Sequence, residues 1–164
     1  MDVSKSPRLF LLDGLQRFIV FARKLDGVRR ISVLGSILTD KPAPKDIDVL
    51  VVVADQMDLA PLANCSRQLK GLVQSINRGA DVFLADERGN YIGRICRWKN
   101  CRPGIRMACK ALHCGRRSYL YDDLAVVKLN AELVHHPPLT LWPTVEIRCQ
   151  LPKDVEDWIA KIDI

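Results

Sequence analysis

Residues 33–53 read VLGSILTDKPAPKDIDVLVVV. Behind its two aspartates, the run 46–53 carries only Ile, Val and Leu, and it is the most strand-like segment of the chain. A continuous apolar strand of this kind is normally buried on both faces. Asp46 and Asp48 are two apart, so their side chains point to the same face. They open the strand beside a loop, residues 41–45, that holds Pro42 and Pro44. Two neighbouring carboxylates repel each other and are costly in an apolar strand if left unpaired. A hard divalent cation such as Mg²⁺ relieves that cost by taking oxygen ligands from both.

Upstream, Gly35-Ser36 interrupts the β-branched run 30–34. Glycine lets the backbone come close to a phosphate. Ser36 can cap a short helical turn, and its hydroxyl and the following amides can bind an anion.

Working outward, Leu12, Leu15, Phe18, Ile19, Ala22 and Leu25 recur at helical spacing and predict a helix over 9–25, stopped by Asp26-Gly27. A second helix is expected over 59–76, with Leu62, Leu69, Leu72, Val73 and Ile76 inward and Asn77-Arg78-Gly79 ending it. Strands follow at 80–84 and 91–96, with a turn at 86–90 between them. This order predicts an α/β (α+β) core over 1–95, a small mixed β-sheet with helices packed on it. Residues 96–164 form a Cys/Arg-rich extension that packs on the core or continues it. In it, 124–129 reads as a strand, 135–143 as an extended proline-bearing stretch with His135-His136 in an exposed turn, and 154–162 as a helix.

Asp81 stands in the otherwise apolar strand 80–84. If that strand lies beside 46–53, Asp81 joins Asp46 and Asp48. Three carboxylates can hold one or two Mg²⁺ ions that clamp an attacking hydroxyl and a leaving pyrophosphate. Asp81 could also take the proton of the attacking hydroxyl. The plainer alternative is that Asp46 and Asp48 cap a loop while Asp81 ends a turn.

Gly35-Ser36, nine intervening residues, then Asp46-Ile47-Asp48 resembles the signature of the DNA polymerase β-like nucleotidyltransferase superfamily, in its minimal form. Asp81 resembles that family's third acidic position. The resemblance spans about residues 30–84. It implies Mg²⁺-dependent transfer of a nucleoside monophosphate from a nucleoside triphosphate to a hydroxyl of a protein, an RNA end or a small molecule. It further implies that Asp46, Asp48 and Asp81 bind metal, with Asp81 alternatively activating the acceptor, and that Gly35 and Ser36 hold the triphosphate. Ile37-Leu38-Thr39-Asp40 stands where minimal members often carry small and basic residues. A catalytically inactive module of the same fold, binding nucleic acid or a partner protein, is the other reading.

The chain has 164 residues and a formal net charge of +6, which suits nucleic acid, nucleotide phosphates or an acidic protein partner. Arg94, Arg97, Lys99, Arg102, Arg106, Lys110, Arg116 and Arg117 crowd a segment with no acid between Arg88 and Asp122. With Trp98 and Tyr119 they could contact a nucleic-acid backbone and stack bases, or form a solvated face. Cys96 and Cys101, like Cys109 and Cys114, are separated by four residues, and His113 adjoins the last. Four thiolates could bind Zn²⁺, and buried unliganded thiols are the alternative. Cys65 and Cys149 read as packing residues. Lys5 and Arg8 precede residues 9–12, and Asp13-Gly14 closes that run too early for a signal-peptide core. With 48% of residues apolar but no long uncharged run, the expectation is a packed cytoplasmic domain without a membrane span.

Overall fold

The computed structural model describes residues 5–99, 101, 117–122 and 124–164. Helix α1, Pro7–Ala22, starts two residues before its apolar periodicity does. Ser6 caps it by accepting from the Leu9 amide at 3.3 Å, and Pro7 fits the first turn, where no amide is needed. The helix ends at Ala22, short of Leu25, and the chain reverses through Gly27 at φ 98°. Strand β1, Val28–Leu34, leads into a 3-10 turn, Ser36–Leu38, and then β2, Asp46–Val53. Helix α2, Ala60–Gln74, returns the chain to β3, Gly79–Ala85, and β4, Tyr91–Ile95, follows. The turn between β3 and β4 is closed by Asp86, whose carboxylate accepts from the amides of Arg88 and Asn90 and from the Asn90 side chain.

Described residues beyond β4 continue the same sheet. Strand β5, Leu120–Tyr121, pairs with β4. After α3, Ala131–His135, strand β6, Leu139–Trp142, pairs antiparallel with β1, and β7, Glu146–Ile147, closes that edge. Helix α4, Lys153–Lys161, packs against α1. The described strands form one mixed sheet in the order β5-β4-β3-β2-β1-β6-β7, open at both edges. The strand expected at 124–129 does not form. Residues 124–126 make a turn, and Val126 is 72% exposed, so β-prone composition alone does not place this run in the sheet.

The two faces of the sheet are covered unequally. Ile47, Val49, Val51 and Val53 point into the main core with Leu11, Leu15, Ile19, Leu62, Leu69, Val155 and Trp158 from the helices. The alternate residues Leu50 and Val52 meet a smaller cluster of Leu34, Ala85 and Val134, with Leu129 and Leu133 packed on it. Asp46 and Asp48 belong to this second face by the strand's alternation, at the end away from α3. The β2 strand is thus buried on both sides along its apolar part and open where the aspartates sit. Among the described residues, no helix is long and apolar enough to cross a membrane.

Candidate functional site

Strands β2 and β3 run parallel and in register, with Asp46 opposite Gly79 and Asp48 opposite Asp81. Neighbouring strands lie about 4.8 Å apart, so Asp48 and Asp81 are side by side on one face. A Cβ built on Gly79 would run into the Asp46 carboxylate. Glycine at 79 therefore gives Asp46 room to lie over β3. Gly79 was expected only to end a helix, but it is part of the carboxylate site.

The Gly-Ser turn comes in from the other side of β2. Leu34, the last residue of β1, pairs with Asp48. Gly35 then takes φ 82° and ψ −161°, a region essentially closed to other residues. A Cβ at this position would stand 2.6 Å from Asp48 Oδ2. The turn is thus pressed against the carboxylate as only glycine allows. The Leu38 amide donates to Gly35 O and the Thr39 amide to Ser36 O, so the amides of Ser36 and Ile37 precede the first bond of the 3-10 turn. Gly35, and not Ser36, holds the cap position of the 3-10 turn.

Ile37 and Leu38 are buried in the main core, which accounts for apolar residues directly after Gly-Ser. The loop beyond them is held by Arg8. Arg8 is 5% exposed, and its guanidinium donates to Ile37 O at 2.8 Å and to Thr39 O and Lys41 O. Its Nε lies 3.1 Å from Asp154 Oδ2 on α4. One buried cation thus ties the Gly-Ser turn to the first and last helices. Sequence reading missed this role because Arg8 looked like an ordinary flanking charge.

Burial, then repulsion from Asp81 and from Asp46, pushes the Asp48 carboxyl up to about 6. Asp81 has a distant cation: Arg94 Nη1 is 4.0 Å from its Oδ1. Arg94 also lies over the Tyr121 ring, 5.1 Å from its centroid. Among the described residues, no group of three His, Cys, Asp or Glu side chains is gathered closely enough to hold a metal. The strands bring the three aspartates to one face, and mutual repulsion favours keeping their side chains apart. The donor chemistry remains that of a hard cation: two in-register carboxylates, a third exposed and free to turn, and no basic side chain within ion-pair distance of Asp46 or Asp48 among the described residues.

Of the four cysteines considered for zinc, Cys109 and Cys114 lie outside the described residues. Cys96 and Cys101 are both fastened to Tyr119. The Cys96 amide donates to Tyr119 O at 2.6 Å, and the Tyr119 amide donates to Cys101 Sγ at 3.3 Å. Cys65 is buried and Cys149 packs at the core margin, as packing residues do.

Neither the curated proteins nor the solved structures include a match to this chain. One family profile does match, across residues 3–102, a span that takes in α1 to β4 and with them Arg8, the Gly35-Ser36 turn and all three aspartates. The chain belongs to that family, DUF6932, a family of unknown function.

Proposed function

We propose that this protein is a Mg²⁺-dependent nucleotidyltransferase, moving a nucleoside monophosphate from a nucleoside triphosphate to a hydroxyl acceptor. The observation that carries the reading is the Asp48–Asp81 register with Gly35 pressed against Asp48. It supports the resemblance of Gly35-Ser36 and Asp46-Ile47-Asp48 to the DNA polymerase β-like superfamily, because the three separated motifs meet at one end of one sheet face. A Gly-Ser turn beside a strand-borne carboxylate pair offers what phosphoryl transfer needs most, positioning and charge neutralisation.

In this reading, Gly35 and Ser36 receive the triphosphate through backbone amides and the serine hydroxyl. Asp46, Asp48 and Asp81 are the side chains that would hold Mg²⁺, which when bound supplies charge neutralisation for the phosphates. The acceptor oxygen attacks the α-phosphorus, the new P–O bond forms, and the bond to the β-phosphate oxygen breaks to release pyrophosphate. The acceptor's proton passes to Asp81, the one of the three that has Arg94 beside it. Arg8 keeps the turn in place by holding the carbonyls of Ile37, Thr39 and Lys41.

A second reading, a catalytically silent member of the same fold, is favoured by one observation: three ready-made ligands are not gathered among the described residues. Incubation with α-labelled nucleoside triphosphates, Mg²⁺ and a panel of protein, RNA and small hydroxylated acceptors separates the two. Label transfer that disappears in Asp48→Asn supports the enzyme. Triphosphate binding without transfer across the panel supports the silent module.

A further inference from the structure

Beyond Asp81 the sheet face opens into a cleft of about 420 Å³, lined by Arg67, Arg94, Arg97, Trp98, Lys99 and Tyr121 among others. Two of these arginines build its wall. Arg67, from α2, donates to Arg97 O at 3.3 Å and Trp98 O at 3.4 Å. Arg97 donates to Ala80 O at 3.0 Å, next to Asp81 in the chain. The segment 97–98 is thereby pinned beside the carboxylates. Trp98 is left 53% exposed, a large indole held in solvent by a fixed backbone. Lys99 is exposed beside it. Arg94 lies between Asp81 and the face of Tyr121.

We propose that this cleft is an acceptor subsite and that it takes the end of a single-stranded nucleic acid. The inference rests on the nucleotidyltransferase reading for the word acceptor, but its binding chemistry stands on the cleft alone. Among the described residues, Asp81 is the single acid lining a cleft with four cationic side chains, which selects a polyanion. An exposed indole with cations around it is a platform for an unstacked base, which a duplex does not present. The cleft shares Asp81 with the carboxylate site, so a strand end lying in it brings its terminal hydroxyl next to the proposed proton acceptor.

Fluorescence anisotropy with short labelled RNA and DNA strands, single and duplex, tests this on the full chain without triphosphate. Expected is single-strand binding that weakens with salt at a log–log slope of about −2, near three phosphate contacts. Trp98→Ala should weaken it roughly five- to hundredfold, the range for one lost base stack. Lys99→Glu should weaken it too. Both positions are exposed, so the fold should be retained, checked by circular dichroism. RNA bound over DNA, or the reverse, identifies the strand. Absence of binding at about 50 mM salt overturns the proposal, as does binding that Trp98→Ala leaves intact or that an acidic peptide matches. If strands bind but triphosphates do not, the cleft stands and the transferase reading falls. If triphosphates bind but strands do not, the acceptor class is wrong and the transferase reading stands.

Discussion

Asp48 and Asp81 stand opposite each other on neighbouring parallel strands, and Asp48 has no basic side chain in ion-pair reach among the described residues. Backbone pairing fixes their Cα positions, so the two carboxylates can draw apart only by turning their side chains. Their repulsion, added to burial, is the source of the raised Asp48 pKa.

Asp48→Asn should therefore stabilise the fold at neutral pH. Asp48 titrates near 6 when folded, against 3.8 for an ordinary aspartate. Between those values the folded state holds more of the proton, so stability falls as pH rises through that window and stays lower above it. The asparagine variant lacks this loss. After allowance for solvent screening, the gain above about pH 6 is on the order of 1–2 kcal/mol, or roughly 3–6 °C in Tm. Thermal melts from about pH 4 to pH 8 should show the two proteins converging at the acid end. A constant offset across the range would remove the carboxylate repulsion from the account.

Magnesium should act on the same pair. A dication bound to ionised Asp48 and Asp81 stabilises the folded state by mass action. Millimolar Mg²⁺ should raise Tm at about pH 8, less at about pH 5, and not at all in an Asp48→Asn, Asp81→Asn double variant. Equal shifts in wild type and double variant would place the effect elsewhere.

Gly35→Ala places a methyl group 2.6 Å from Asp48 Oδ2 on a backbone at φ 82°. Strain of this kind costs about 1–3 kcal/mol. Relief by moving the turn off Asp48 should also abolish triphosphate binding. Urea unfolding measures the first effect and a binding titration the second.

Arg8→Ala leaves three loop carbonyls and Asp154 without their cation. Hydrogen bonds to a buried charge are the stronger kind, and a loss of about 3 kcal/mol is expected. Arg8→Lys should recover only part of it, since an ammonium lacks the planar fork that reaches several carbonyls. Hydrogen exchange should rise first in residues 37–41. Rise confined to the end of α1 would mean that Arg8 holds its own helix and not the loop.

The central sheet was legible because its signals are local. Six apolar residues within eight positions mark β2, and alternation places Asp46 and Asp48 on one face before any partner is known. Asp81 was legible for the same reason. The outer strands were not. β5 is two residues long, and β6 is four residues between two proline-bearing stretches, with its place set by pairing to β1 far back in the chain. Residues 124–129 carry a β-like composition yet lie in no strand, because strand propensity without a paired partner does not decide the outcome. Gly79 and Arg8 escaped notice for a related reason. One matters for the space above it and the other for carbonyls about thirty residues away, and neither relation leaves a periodic trace.

The most direct test is a calorimetric titration of the wild-type protein and Asp48→Asn with each of the four nucleoside triphosphates, with and without Mg²⁺. It needs no knowledge of the acceptor. The account predicts binding of at least one triphosphate that requires Mg²⁺ and is lost in Asp48→Asn, although that variant is folded and the more heat-stable of the two. Absence of binding by all four, or Mg²⁺-independent binding that the variant retains in full, would contradict it.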